Sequence, residues 1–375
     1  MFLFGIEHEV AFLNQKGEFA DFSRTKFNDL SPIIDMLPVN PCDYLQLCIG
    51  DAGIKRKRWY IKGSKHFVNS HRNIECIPKG IEIRTSVHND ITSAIAELSE
   101  SFILLREAAG IMGFSPVLVS FNPYQSTFKP SLPPGSCNCQ QNDTKLSPKQ
   151  LNQQMLTYGA DLNISLLDSS YEQIIDIAHK LIYWSPYIIP FSFSSPFYQG
   201  RVWDGLSIRS FSRSNIKSPV RVFVEKEEQL ITSNPNFTKI ARLPTENFRI
   251  EFQACDSCDD FFIYAGLLAL IKGLILDESL HHRATTPNIG LHQLSAKEGF
   301  KNPDIYRNAQ DLLEAAENAL DLNSDLDAEL LMPLKVILEH KETPAHELIW
   351  VFKQLGSIEE VLKHTYIAYN SINLN

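Results

Sequence analysis

The chain has 375 residues, of which 44% are hydrophobic, so it can bury a sizeable core as one large domain or two ordinary ones. Its formal net charge of -9 gives no general positive field, which argues against nucleic acid and membrane surfaces as partners. The apolar opening runs directly into Glu7, and Lys272 interrupts the longest apolar stretch, so we expect neither a signal peptide nor a membrane anchor. Seven cysteines without a secretion signal are typical of reduced thiols, and we therefore expect a cytoplasmic protein.

The N-terminal part of the chain alternates short strand-like runs with turns. Basic residues gather at 55–65 and indicate either a solvated turn or a rim that attracts nucleotide phosphates. A helix is predicted at 90–109, with Asp90 or the residue before it as N-cap and Gly110 at its end. The chain is then rich in Pro, Ser, Asn and Gln, which predicts a long loop with a flexible part at 124–150.

Helical patterns dominate the rest of the chain. Helices are predicted at 171–184, ended by Pro186, and at 259–280, and the pattern is helical almost throughout from Asp304 onward. No linker with a change of composition separates these segments. The sequence therefore predicts a single α+β domain over 1–375.

Two groups of residues are of types that bind zinc. The first group has two pairs of thiols, Cys137 with Cys139 and Cys255 with Cys258. These pairs are far apart in sequence, and Cys255 lies in a strand-like segment. The second group, His281–His282, follows a predicted helix together with Arg283, where positive side chains favour the negative end of the helix dipole. We expect no structural zinc, although metal binding stays open for both groups.

Four strand-like segments carry polar side chains at alternate positions. Because side chains alternate across a strand, residues two positions apart share a face. The shared faces carry Glu7 and Glu9 in 5–10, Glu82 and Arg84 in 80–85, Asp161, Asn163 and Ser165 in 159–166, and Arg249, Glu251 and Gln253 in 248–254.

Two interpretations of these faces stay open. Antiparallel sheets often expose one face to water, and polar residues collect there. The four sets are, however, rich in carboxylates, include two arginines and an asparagine, and lack lysine. Magnesium prefers carboxylate oxygens and completes its octahedron with phosphate oxygens. The pattern is therefore also suited to a metal-bound nucleotide.

The opening strand, Gly5-Ile-Glu-His-Glu9, resembles the G-x-E-x-E strand of the glutamate–cysteine ligase and carboxylate–amine ligase family, whose fold is related to the glutamine synthetase catalytic domain. Five further segments resemble family motifs in the family's order. They are the E-x-x-T strand from Glu82, the G-x-x-x-N-x-S-L strand 159–166, the S-P-x-x-x-G … S-x-R segment 195–209, the E-x-x-x-x-D strand within 245–256, and the A-x-x-G element 296–299. The resemblance extends from residue 5 to about residue 300.

This resemblance implies a glutamine synthetase-like fold, with a curved and mostly antiparallel sheet and helices on its outer face. It also implies two or three magnesium ions around ATP. The metal ligands that it implies are Glu7, Glu9, Glu82, Asp161 and Glu251, with Glu75 where the family has another acid. Arg209 and Arg84 are the implied catalytic residues, the former touching the transferred phosphate or the carboxylate substrate. Candidates for contact with ATP are Arg249, Asn163, Ser165 and Gln253.

Three residues depart from the family pattern. Asp161 replaces the usual His, and a carboxylate can still bind magnesium. Gln253 replaces the Arg of E-x-R and removes a charged fork that glutamine cannot imitate. Asn122, before Pro123, stands where relatives often have His. The last two departures concern the identity of the substrate and the level of activity.

The resemblance implies a ligase that uses ATP and magnesium to join an amino-acid carboxylate, such as the γ-carboxylate of glutamate, to an amine such as cysteine, as in glutathione biosynthesis. The reaction would pass through an acyl phosphate, which needs positioning and charge neutralisation but no protein nucleophile. Two alternatives stay open: a phosphotransferase of the guanidino-kinase kind, and a catalytically weak paralogue that binds nucleotide or an amino acid. The partners expected are small amino acids, and the sequence leaves homo-oligomers open.

Overall fold

The computed structural model describes residues 1–47, 57–68, 73–129, 137–138, 147–167 and 169–364, and only the backbone at 44, 65–68, 73–75 and 137–138. The strands are β1 (Phe2–Leu13), β2 (Trp59–Val68), β3 (Asn73–Arg84), β4 (Ser115–Val117), β5 (Cys137–Asn138), β6 (Gly159–Leu166), β7 (Phe197–Tyr198), β8 (Arg201–Val202), β9 (Val220–Val224), β10 (Thr238–Ile240) and β11 (Arg249–Asp256).

The helices are α1 (Phe27–Met36), α2 (Asp43–Gln46), α3 (Ile91–Ile111), α4 (Pro148–Leu156), α5 (Tyr171–Ile188), α6 (Ile208–Arg213), α7 (Phe261–Leu276), α8 (Ile289–Glu298), α9 (Pro303–Leu322), α10 (Met332–His340) and α11 (Pro344–Leu355). A further helical stretch covers 358–364. Short 3-10 turns lie at Ile189–Ser192, Glu227–Gln229, Pro244–Glu246, Gly299–Lys301 and Leu326–Leu331. None of the helices in the described ranges combines the length and apolar character that a membrane span requires.

One large sheet organises the described strands in the order β10-β9-β11-β6-β1-β3-β2-β5, and β4 pairs with β1. Every pair in it is antiparallel except β9 with β10, while β7 and β8 form a separate ribbon. The sheet curls into a half-barrel. The predicted α+β fold, with a curved and mostly antiparallel sheet, is confirmed.

The apolar face of the sheet explains the position of the helices. Alternate residues such as Ile6, Leu162 and Phe252 are fully buried and belong to the main hydrophobic core with α3, α5 and α7. Helix α7 is buried on almost all sides, because α9 covers the surface that α7 turns away from the sheet. Burying each such side chain contributes about 1.5–3 kcal/mol. The helices therefore lie on the outer, apolar face, as predicted, and the polar face stays open.

Helix α3 begins as predicted, because the Asp90 side chain accepts a hydrogen bond from the Ser93 amide at 2.7 Å. It continues through Gly110 to Ile111, so the predicted end was slightly early. A larger correction concerns the predicted loop at 124–150. Its last residues, from Pro148, begin α4, whose N-terminus is stabilised by a reciprocal capping box between Ser147 and Gln150. Residues 130–136 and 139–146 lie outside the described ranges.

The prediction that Pro186 ends its helix was wrong, because α5 continues to Ile188. Proline has no amide hydrogen and cannot donate to the carbonyl four residues earlier. In this helix the Ser185 hydroxyl donates to that carbonyl, on Ile182, at 2.8 Å. A local side-chain hydrogen bond thus replaces the missing backbone bond.

Helix α7 ends at Leu276, so His281, His282 and Arg283 do not lie at its C-terminus as predicted. Instead, Arg283 pairs with Asp176 of α5 at 2.9 Å, and the His282 ring stacks on Tyr183. From Pro303 onward the described chain is largely helical, as predicted. The single domain over 1–375 stays a prediction, since residues 365–375 lie outside the described part.

Candidate active site

The polar residues predicted to share strand faces come together on one side of the central strands. Glu7 on β1 is directly opposite Arg84 on β3 and Asp161 on β6, and Glu9 is opposite Glu82. On β11, Glu251 is opposite Asn163. Paired residues of antiparallel strands point to the same side of the sheet. The register therefore collects the four sets, apart from Gln253, on one polar face, which we call the acidic face.

The acidic face also receives cations that the sequence analysis did not assign to it. Lys62 reaches it from β2, Lys79 from β3 and Arg221 from β9, where Arg221 is opposite Glu251. Lys62 belongs to the basic stretch for which a solvated turn or a phosphate-attracting rim was expected, yet it lies within a strand. The pairing of β2 with β3, which places Tyr60 opposite Glu82, brings Lys62 to this face, and no local sequence pattern specifies that pairing.

At one end of the acidic face, lysines already contact the carboxylates. The Lys62 ammonium contacts Glu82 closely and lies 3.7 Å from Glu9. The Lys79 ammonium lies 2.9 Å from Glu9 and donates to the Gln154 carbonyl at 2.8 Å, with 1% of its side chain exposed. Burial lowers the pKa of Lys79 to about 8, although Glu9 opposes the shift. Glu9 and Glu82 are therefore neutralised from within the protein.

At the other end, arginines surround the carboxylates. Glu7 lies 3.5 Å from Arg249 and 3.8 Å from Arg84, and Glu251 lies 2.8 Å from Arg221. Burial alone would raise the pKa of Glu7, but Arg84 and Arg249 outweigh it and lower that pKa strongly. Burial likewise opposes Arg221 and Arg249 at Glu251, whose pKa is also lowered. Both carboxylates are thus ionised at neutral pH.

Asp161 differs from the other carboxylates, because no cation in the described part lies within ion-pair distance of it. Burial, and then the negative charge of Glu251, raise the pKa of Asp161. Glu7 and Glu9 add to this repulsion. A bound cation would relieve it.

The oxygen atoms of the acidic face can be compared with the ligands that magnesium requires. Among the described residues, no three acidic, histidine or cysteine side chains converge as a metal site. Even so, Asp161 is repelled by Glu251 and Glu7, and the buried Oδ1 of the nearby Asn163 has no hydrogen-bond partner among the described residues. These are the hard oxygen donors that magnesium prefers. Glu9 and Glu82 fit less well, because lysines contact them. The side chain of Glu75 lies outside those described.

Arg209 lies deep in the structure rather than projecting into the open. Its guanidinium donates to the Ala254 carbonyl at 2.9 Å and lies 3.5 Å from the buried Asp256. It also fills the space beside Gly159, where a Cβ atom would lie 2.1 Å from its Nη2. A side chain at that position would therefore force the Arg209 guanidinium to move. Asp256 in turn accepts a hydrogen bond from the Ser195 hydroxyl at 2.8 Å, which ties the 195–209 segment to β11.

The candidate ATP contacts divide between an open cleft and the interior. Asn163, Ser165, Arg249 and Arg84 line a cleft with about 580 Å³ of empty space, including its opening to solvent. Gln253 is fully buried, its Nε2 donates to the Ser218 carbonyl at 2.9 Å, and its Oε1 has no partner among the described residues. The structure thus separates Gln253 from the other three candidates.

Asn122, the third departure from the family pattern, has a visible local role. Its Nδ2 donates to Asp21 at 2.9 Å, and its Oδ1 accepts from the Tyr124 and Gln125 amides at 3.0 and 2.9 Å. An amide side chain satisfies both a donor and an acceptor requirement here, which a charged histidine cannot do. Asn122 therefore stabilises a turn.

Known proteins resemble this chain in sequence and in fold. The model of glutamate-cysteine ligase family 2 matches residues 3–214. Provisionally named glutamate–cysteine ligases 2 of Jannaschia sp. (strain CCS1) and Micrococcus luteus are 30% identical over 121 residues and 27% identical over 135 residues. These matches cover 32% and 36% of this chain, and 31% and 32% of the relatives. The matched part thus spans about a third of the length of these relatives.

Two solved structures share the fold. A glutamate–cysteine ligase from Francisella tularensis in complex with AMP has a TM-score of 0.54 and 11% identity, covering 99% of this chain and 89% of that one. A bifunctional glutathione synthetase from Pasteurella multocida has a TM-score of 0.58 and 11% identity, covering 99% of this chain and 51% of that one. At this identity the likeness concerns the fold alone.

Proposed function

The chain belongs to glutamate-cysteine ligase family 2, and from this premise we propose that it is an ATP- and magnesium-dependent carbon–nitrogen ligase. It would join the γ-carboxylate of glutamate, or a similar amino-acid carboxylate, to an amine such as cysteine. The observation that carries the proposal is the acidic face, where the strand register brings five carboxylates together with arginines. We further propose a cytoplasmic location and a role in glutathione biosynthesis.

The reaction follows from the weakness of a carboxylate as an acylating agent. A carboxylate oxygen attacks the γ-phosphorus of ATP, and the bond to the bridging oxygen breaks to release ADP. The amine then attacks the acyl carbon, a C–N bond forms, the bond to the phosphate oxygen breaks, and the amine loses a proton. This sequence needs fixed positive charge and accurate positioning. Arg84 and Arg249 are in the cleft to supply that charge.

Several residues have assigned roles in this proposal. Glu7, Asp161 and Glu251 would hold the magnesium, and Glu9, Glu82 and Glu75 are the further ligands that the family resemblance implies. Bound magnesium would neutralise the phosphate oxygens and the carboxylates that hold it. Asn163 and Ser165 contact the nucleotide in the cleft with Arg249. Arg209 holds Asp256 and β11 in place and acts on the substrate through them. Direct contact with phosphate would require its side chain to move.

A catalytically weak paralogue is the second candidate function, and one observation favours it. Lys62 and Lys79 contact Glu9 and Glu82, which the family resemblance assigns to metal. If these contacts persist when nucleotide binds, part of the metal cluster cannot form. Such a protein would bind nucleotide or an amino acid without appreciable turnover.

One assay separates the candidates: ADP and phosphate release from ATP with glutamate, with and without added amines or guanidino compounds. A ligase releases phosphate in an amine-dependent manner and forms an amide. A guanidino-kinase-like phosphotransferase instead forms ADP and a stable phosphorylated acceptor without free phosphate. Binding of nucleotide without either product would identify the paralogue and overturn the proposed ligase activity.

A further inference from the structure

Lys79 reaches the acidic face because strand β3 is irregular at that residue. In the pairing of β2 with β3, the residues on either side of Lys79 are opposite Gly63 and Lys62, and Lys79 itself is skipped. Such an extra residue is a β-bulge, and bulges re-aim side chains beside active sites. Lys79 and Glu82 are three positions apart and would point to opposite sides of a regular strand. The bulge therefore brings the lysine to the side of Glu82 and Glu9.

The sequence on both sides of Lys79 fits this bulge. A Cβ atom on Gly63 would lie 2.0 Å from the Ile77 carbonyl oxygen, and one on Gly80 would lie 2.2 Å from that of Val10. Glycine in a strand often marks a bulge or a close approach of another backbone. Neither position can take a side chain without a shift of the backbone. The position of Lys79 is thus built into the sheet.

The Lys79 ammonium has an acceptor for each of its three hydrogens. It donates to Glu9 at 2.9 Å, to the Gln154 carbonyl at 2.8 Å and to the Thr157 carbonyl. The two carbonyls lie at the C-terminal end of α4, where the helix dipole favours a positive charge. The ammonium also lies 5.2 Å from the centre of the Tyr158 ring. It is therefore fully coordinated within the protein.

Lys62, the other lysine at this end of the face, is held less firmly. Its side chain is 21% exposed, against 1% for Lys79. Its ammonium contacts Glu82 and donates to the Tyr60 hydroxyl at 3.2 Å, and both partners also accept from Arg84. Lys62 can therefore turn into solvent and leave Glu82 open to an ion. Departure of Lys79 would instead remove a donor from a carboxylate and two carbonyls, which is costly for buried polar groups.

Glu9 is consequently a poor ligand for magnesium. Its Oε2 accepts hydrogen bonds from Lys79 and, at 3.1 Å, from the Gly159 amide. Magnesium binds oxygen at about 2.0–2.1 Å in a near-ideal octahedron. An ion placed on this carboxylate would lie close to a fixed ammonium of the same sign. Asp161, which no cation in the described part of the chain pairs with, has no such obstacle.

We propose that Lys79 is a built-in replacement for one divalent ion, so that Glu9 is not a magnesium ligand in this chain. The inference rests on the proposed function, in which magnesium binds the acidic face, and it departs from the ligand set that the family resemblance implies. The end of the face with Glu7, Asp161 and Glu251 stays available to magnesium. One fixed positive charge lies beside the nucleotide where an ion would carry two.

Manganese binding counts the ions without requiring turnover. The number of Mn²⁺ ions bound per chain would be measured by electron paramagnetic resonance, with and without a non-hydrolysable ATP analogue. The proteins would be wild type, Lys79→Met, the double variant Glu9→Gln/Lys79→Met, and the control Lys335→Met, whose lysine pairs with Glu317 at a more exposed position. The double variant removes both charges of the pair together, so that neither is left buried without its partner.

The double variant and the control should bind as many ions as wild type, with the same affinity. Lys79→Met should bind one ion more, because Glu9 and the carbonyls of Gln154 and Thr157 are hard oxygen donors that the ammonium no longer occupies. Its melting temperature should also rise with Mn²⁺ concentration by more than that of wild type.

The double variant decides whether Glu9 is a ligand. Loss of an ion there, or binding at least about tenfold weaker than in wild type, would overturn the inference. A Lys79→Met protein with a native circular dichroism spectrum and no additional ion would overturn it too. If Lys79→Met does not fold, the double variant alone gives the answer.

Failure of this inference is distinguishable from failure of the proposed function. If wild type forms amide and the double variant loses an ion, the inference fails while the ligase stands. If wild type binds no Mn²⁺ and Lys79→Met binds one ion, the inference stands and the magnesium-dependent ligase fails.

Discussion

Lys62 is the cation that competes most directly with a metal ion on the acidic face, because it contacts Glu82 and lies near Glu9. Replacing it by methionine leaves Glu82 with Arg84 at 3.1 Å as a remaining charged partner. Loss of a charge-assisted hydrogen bond of this kind costs about 1.5–3 kcal/mol. In the absence of divalent ions, we expect Lys62→Met to lower the melting temperature.

Magnesium should then restore the stability of Lys62→Met, since binding to the native state stabilises it by mass action. The measurement is the melting temperature in EDTA and in a magnesium series. Lys335→Met is the matched control, because Lys335 pairs with Glu317 at a more exposed position away from the face. If the melting temperature of Lys62→Met does not change with magnesium concentration, Glu9 and Glu82 do not bind the ion.

The carboxylates Glu7 and Glu251 should be indispensable for turnover. Substitution by glutamine keeps the shape of the side chain and removes the charge that a metal ion needs. We expect Glu7→Gln and Glu251→Gln each to lower the rate of ADP formation at least about 100-fold while the circular dichroism spectrum stays native. Glu278→Gln, at an exposed position, serves as the control. Near-normal turnover in both folded variants would put the active site elsewhere.

Gln253→Arg should not recover a family-like site. Gln253 is completely buried and its amide donates to Ser218, so a longer charged side chain has neither room nor solvent. Overpacking of this kind typically costs about 1–3 kcal/mol. We expect a lower melting temperature and no better use of glutamate in a panel of amino acids and amines. Improved turnover with a native melting temperature would mean that the cavity adapts to the arginine.

At the scale of single elements, features that depend on local sequence were predicted better than features that depend on how the elements pair. The alternation in β1 and β6 was sufficient to predict which side chains share a face, because a strand fixes that by its own geometry. The N-cap of α3 was also predictable, because Asp90 and its partner Ser93 are close in sequence. In contrast, the roles of Lys62 and Lys79 depend on the pairing of β2 with β3 and β3 with β1, which no local pattern specifies.

Proline usually ends a helix, but side-chain and tertiary contacts override this rule in α5. Ser185 supports the turn around Pro186 by donating to Ile182, and its hydroxyl also lies 3.0 Å from His292. Ser185→Ala leaves both buried groups without this partner. We expect the free energy of unfolding to fall by about 1–3 kcal/mol, measured by urea denaturation.

Ser99→Ala provides the matched control for α5. The Ser99 hydroxyl donates to the Ile95 carbonyl at 2.9 Å within α3, where no proline interrupts the backbone hydrogen bonds. The change there should stay within about 0.5 kcal/mol. Equal losses in the two variants would mean that the hydroxyl in α5 does not substitute for the missing amide of Pro186.

At the scale of the whole molecule, the candidate site is inseparable from the fold. Its carboxylates come from strands that are distant in sequence, since β1 lies between β3 and β6, and β6 pairs in turn with β11. The order of the family motifs predicted this assembly, because it identified the fold. The burial of Arg213 was not predictable, since burial of a residue in a short helix depends on what that helix packs against.

Burial of His292 should make the stability of the whole molecule sensitive to acid. His292 has a pKa lowered to about 4 by burial, whereas the ordinary value is 6.5. The unfolded chain takes up a proton near pH 6.5, but the native protein does so only near pH 4. The contribution of His292 to the free energy of unfolding is therefore fully present above pH 6.5. It declines as the pH falls toward 4, by up to about 1.4 kcal/mol per pH unit.

His292→Gln removes this proton uptake and should flatten the decline between pH 6.5 and pH 4. The measurement is the free energy of unfolding from urea titrations at several pH values, compared with wild type. The loss of the Ser185 contact lowers the variant's stability at every pH, so the slope against pH is the diagnostic quantity. His281→Gln, at an exposed position, should keep the wild-type slope. Parallel curves for wild type and His292→Gln would mean that His292 takes up its proton equally in the native and unfolded states, so that other groups cause the acid sensitivity.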